Sequence, residues 1–129
     1  MNNLRNSFFI SAISTFIGCL QMALFLFDGV SCIDGKSSLL DGILLFMPIQ
    51  FIFVFILSLI RKKFIQYLIL VLVFIFWIYV NNHEFEHRYA CWSTFSNSEI
   101  LKAVLLKSSY TCSICILSIY FFTKKFYKN

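Results

Sequence analysis

Charged side chains are too scarce in this sequence for a chain surrounded by water. They make up 13% of 129 residues, against about a quarter in soluble domains. Acidic residues are the rarer sign, six against eleven Lys and Arg, and none falls in the middle of an apolar run, where proton-coupled carriers place one. With one proline and four glycines, the chain has no glycine-rich broken helix of the kind that holds substrate in many transporters. Strict alternation of apolar and polar residues is also missing, which excludes the strands of a membrane barrel. No internal repeat and no N-x-S/T glycosylation site occurs.

What is present is apolar length. Hydrophobic residues are 60% of the chain, with 17 Phe, and they lie in long runs. Only helices satisfy the backbone of such runs in lipid, and about 17 to 25 residues cross a hydrocarbon core of roughly 30 Å. The sequence therefore predicts an all-α membrane protein, a four-helix bundle in one integral domain, with spans over residues 8–27, 39–60, 64–80 and 100–122. The connectors at 28–38 and 81–99 would form outer loops, and no stretch is left for a soluble catalytic domain.

Charge position sets the expected orientation. Arg61-Lys62-Lys63 is a basic hinge between two apolar runs, and Arg5, Lys124, Lys125 and Lys128 flank helix ends on the same side. Asp28, Asp34, Glu84, Glu86 and Glu99 fall on the other. Because Lys and Arg are retained in the cytoplasm during insertion, both termini are expected inside. The formal charge of +5 then reflects topology rather than nucleic-acid binding. Trp77 and Tyr79 are placed in an outer aromatic belt, and Pro48 is expected to kink the second helix near Gln50.

Each outer loop carries one cysteine, Cys32 and Cys91. In an oxidising compartment these would pair, closing a loop of about sixty residues and stabilising by a few kcal/mol in the chain-entropy model. Cys112-Ser-Ile-Cys115 has redox spacing but falls inside a predicted helix, where a thiolate is disfavoured and two small packing residues are the simpler reading. His83-Glu84-Phe85-Glu86-His87 matches H-E-x-x-H, which on a helix puts two His on one face with Glu as base. A metal site through His83 and His87 would need a third ligand, for which the sequence offers only Glu99 or a cysteine already assigned to the bridge, so no metal and no cofactor is expected.

Polar residues inside the spans are the second group of candidates. Ser11, Ser14, Gly18 and Gln21 recur at helical spacing and suit close helix packing, with Phe9, Ile13, Phe16 and Leu20 toward lipid. Asp41 and Lys102 lie at similar shallow depth and are expected to pair. Lys107 lies about 10 Å below the outer surface by helical rise, level with Gln21. It either snorkels outward or shares a polar site with Gln21, Gln50 and Thr111.

These features point to a binding protein rather than an enzyme. Glu84, Glu86, Arg88, Tyr89, Trp92 and Phe95 form a dense set in the second outer loop, suited to recognising a partner. In size and in its four-helix plan the chain resembles the bacterial inner-membrane immunity proteins that neutralise pore-forming colicins and related toxins. That resemblance implies a multi-pass inner-membrane location and a protein toxin or another membrane protein as partner, besides the bilayer itself and a second copy of the chain. The alternatives are a small transporter or flippase subunit using Gln21, Gln50 and Lys107, and a membrane metalloenzyme using His83, Glu84 and His87.

Overall fold

The computed structural model describes residues 2–26, 29–92 and 94–127, with the side chains of Asn2 and Trp92 excepted. Four helices account for most of them: α1 (Asn2–Phe25), α2 (Leu39–Ser58), α3 (Lys63–Arg88) and α4 (Asn97–Thr123). All four are long and apolar enough to cross a membrane. Short 3-10 turns follow α3 at Ala90–Trp92 and α4 at Lys124–Phe126. Among the described residues there is no strand. Asp28 and Lys128, assigned above to opposite sides, lie outside the described residues.

The helices run up and down in sequence order. α1 packs along α2 and α4, and α3 along α4, while the α2–α3 seam is looser. The helices that start at the connector end, α2 and α4, open with Ser-x-x-acid. Asp41 accepts from the Ser38 N–H at 2.7 Å and Glu99 from the Ser96 N–H at 2.9 Å, so both carboxylates hold helix starts and complement the positive end of the helix dipole.

Burial is inverted relative to a water-soluble bundle. Ser7, Ser11, Ser14, Gln21, Asn81 and Ser108 are wholly buried, whereas Phe16 is 65% and Leu24 72% exposed. Helices gain nothing by hiding Leu or Phe from lipid, so packing and interhelical hydrogen bonds hold them together. Gln50 donates to the Ser14 carbonyl at 2.8 Å and accepts from Trp77 Nε1 at 2.7 Å, joining α1, α2 and α3 at mid-height. Asn81 donates to Ser108, and Gln66 donates to Thr123 at 3.2 Å, joining α3 to α4 on two levels. Gly18 sits where a Cβ would stand 2.6 Å from Gln50 Oε1 and 3.0 Å from Trp77 Nε1, so only glycine leaves room for this junction. Lipid-side hydroxyls are satisfied within the helix, Ser113 on the Ser109 carbonyl at 2.7 Å and Ser118 on that of Ile114 at 3.0 Å.

Two expectations change. α3 continues through residues 81–88, which were assigned to a loop, because Glu84 and Arg88 pair one turn apart and extend the helix past its apolar part. Trp77 consequently lies well inside α3 and is 1% exposed, in the core rather than in an aromatic belt; Tyr79 remains exposed. Pro48 lies inside α2, which continues as one helix from Leu39 to Ser58.

Candidate functional site

The connector end is built around Arg88. Its guanidinium meets the Glu84 carboxylate and also donates to the carbonyls of Gly29, at 3.2 Å, and Ser37. Both side chains of the ion pair are nearly buried, 7% and 5% exposed. Glu84 lies against the first turn of α2, where a methyl group on Gly42 would overlap its carboxylate, so the positive end of that helix adds to the stabilisation of the charge. One arginine thus neutralises a buried acid and closes the connector over the bundle.

Two further ties hold the same connector. The Cys32 N–H donates to the His87 carbonyl at 2.9 Å, and a disulfide joins Cys32 to Cys91 across a Cα separation of 6.5 Å, inside the usual range. Within the connector, the Asp34 carboxylate accepts from the amides of Lys36 and Ser37, each at 3.1 Å, and these donors hold its pKa down at about 2. Gly35 follows with φ of +64°, the left-handed value that glycine adopts freely and that the turn requires. The result is a latched cap over the ends of α1 and α3.

The predicted partner-facing residues divide accordingly. Glu84 and Arg88 are buried in the cap and hold it together, so they are unavailable to a partner. Glu86, Tyr89 and Phe95 are exposed. The side chain of Trp92 lies outside the described residues. His83 and His87 meet edge to face one turn apart on α3, ring centroids 4.4 Å apart. Glu84, the base that the H-E-x-x-H pattern would supply, is engaged by Arg88 and lies 3.5 Å from His83 Nδ1. Among the described residues no three His, Cys, Asp or Glu side chains converge on a point that could hold a metal.

No family model, curated protein or solved structure matches this chain. Its functional reading therefore rests on its own geometry.

The intramembrane polar candidates do not converge either. Gln50 belongs to the Ser14–Trp77 junction, and Gln21 is wholly buried with neither amide atom hydrogen-bonded. Asp41 caps α2 instead of meeting Lys102, and Lys102 is exposed. Lys107 is exposed on α4, and with Thr111 it borders a groove of about 410 Å³ between α4 and the upper part of α1. Tyr89, Phe95 and Glu99 line the same groove, with Glu99 two turns before Lys107 on α4.

The opposite end has its own arginine, which sequence reasoning treated only as a topological charge. Arg61 donates to the Asn3 carbonyl and to Ser7 Oγ, the latter at 2.9 Å, tying the α2–α3 hinge to the start of α1. Buried Tyr127 lies nearby, its hydroxyl pushed up to about 12 by burial and drawn back slightly by the Arg61 charge. The usable signal was spacing: Ser7, Ser11 and Ser14 share one face of α1 and lead directly to Arg61.

Proposed function

We propose that this protein is a multi-pass inner-membrane binding protein that protects a bacterial cell from a membrane-acting protein toxin by direct contact. In this reading both termini and the Arg61-Lys62-Lys63 hinge are cytoplasmic, and the disulfide-closed cap faces the oxidising exterior. The observation that carries it is the allocation of polar groups. Glu84, Arg88, Gln50, Gln66 and Asn81 are engaged inside the fold, which leaves outward mainly apolar helix faces, with Lys102 and Lys107 on α4, and a fixed cap showing Glu86, Tyr89 and Phe95. Such a surface suits recognition of a membrane-inserting protein, the cap giving specificity and the helix faces giving apolar contact.

Cells lacking the gene and challenged with the toxin encoded beside it should die while complemented cells survive, and the tagged protein should co-purify with that toxin from membranes. Survival of the deleted strain, or protection without co-purification, contradicts the proposal. A transporter reading finds less support, because Gln21, Gln50 and Lys107 do not share a cavity.

A further inference from the structure

A cationic side chain on a helix apolar enough to cross a membrane, without a partner among the described residues, is a feature of this molecule that its own fold does not explain. Lys107 lies ten residues into α4, about 15 Å along the helix by its rise. It takes part in no ion pair or hydrogen bond among the described residues. Charged groups at such depth normally pair or mark a site. Arg88 and Arg61, the cations drawn into the fold, both have polar partners, whereas Lys107 is exposed.

The surroundings of Lys107 define what fits. The groove it borders shares Leu24 with a second one of about 610 Å³, which continues along the same α1–α4 seam past Leu20 and Ser118 to Phe122. From Ile100 to Phe122 the combined groove covers 23 residues of α4, a rise of about 33 Å, close to the thickness of a hydrocarbon core. Its walls include Ala12, Ala103, Cys115 and Ser118, small residues of the type that let another backbone approach closely. A second copy of this chain does not answer the charge at this depth, because its described acidic residues, at positions 34, 41, 84, 86 and 99, all lie at the cap end.

We infer that the α1–α4 groove is a docking site for a membrane-spanning helix of another protein that carries an acidic side chain at the depth of Lys107. The inference rests on the protective reading above, since it names the part of the partner that the bundle grips. Lys107 would hold the acid of the incoming helix, and Glu99, two turns before it on α4, favours a basic residue above that acid. The carboxylate of Glu99 also disfavours the main competitor, an anionic phospholipid headgroup resting on Lys107.

The test uses the full chain, fluorescently tagged, in phosphatidylcholine vesicles with labelled host helices of leucine and alanine. These peptides differ at one position, Asp, Asn or Leu, placed about seven residues below the outer interface, or about 10 Å. Energy transfer should report that the Asp peptide binds roughly tenfold better than the Asn or Leu peptides, as expected for one strong interhelical polar contact. The preference should vanish in Lys107→Met and pass to a Lys-bearing peptide in Lys107→Glu. Equal binding of all peptides, an Asp preference that survives Lys107→Met, or displacement of the Asp peptide by added phosphatidylglycerol would each overturn the inference, the last by giving the groove to a lipid. Toxin challenge in cells is a separate readout. Protection retained without peptide preference removes the groove alone, while preference retained without protection supports the groove and removes the toxin as its occupant.

Discussion

Each end of the bundle is closed by an arginine, and the two are used differently. At the cap end Arg88 faces a buried carboxylate, gathers two carbonyls and works beside a disulfide. At the hinge end Arg61 meets the Asn3 carbonyl and the Ser7 hydroxyl, and among the described residues its Nε and Nη1 atoms have no hydrogen-bond partner. The Arg88 charge at the cap is therefore neutralised and the cap covalently fixed, while Arg61 meets no carboxylate among the described residues. A fixed surface suits recognition at the cap, and a cation at the hinge suits the side on which insertion retains basic residues.

Removing Glu84 should break this contrast most severely. Glu84→Ala leaves Arg88 uncompensated and should cost about 3–5 kcal/mol, the range for one broken partner of a buried pair, read as a lowered unfolding midpoint in detergent. Reduction of the disulfide, or Cys32→Ser, should follow at about 2–4 kcal/mol, and thiol labelling before and after reduction should show Cys32 and Cys91 reactive only afterwards. Arg61→Ala removes hydrogen bonds without stranding an acid, and should cost less, about 1.5–3 kcal/mol. If Arg61→Ala proves more damaging than Glu84→Ala, the asymmetry between the ends is wrong.

The smallest effect concerns pH. The Asp34 carboxyl is depressed from 3.8 to about 2 by the Lys36 and Ser37 amides and the Ser37 hydroxyl. Its contribution is present above the unfolded value and is lost as pH falls through about 2. Hydrogen exchange at Lys36 and Ser37 should accelerate only on strong acidification in the native chain, and at all pH values in Asp34→Ala. The hinge end, which has no such carboxylate among the described residues, should not respond.

Much of this arrangement was legible in the sequence. Apolar run length fixes four helices because a span needs about twenty residues, and one cysteine in each connector leaves a single pairing between them. The serine stripe of α1 correctly marked an inward face, with Ser11, Ser14 and Gln21 buried and Phe16 and Leu20 exposed. The end of α3 was not legible, because His83, Glu84 and Arg88 look like loop residues until an ion pair one turn apart carries the helix onward. Nor was the fate of Glu84 and Arg88: burial depends on Gly42 leaving space on another helix, which no local pattern records. Trp77 was misplaced for the same reason, since its position relative to the interface depended on where α3 stops.

Cysteine accessibility tests the central claim most directly, that lipid surrounds this bundle and that its two ends lie on opposite sides of the membrane. In intact cells an impermeant maleimide should label Glu86→Cys, while Lys62→Cys should react only after the membrane is opened. Labelling of both variants from the same side would contradict the account.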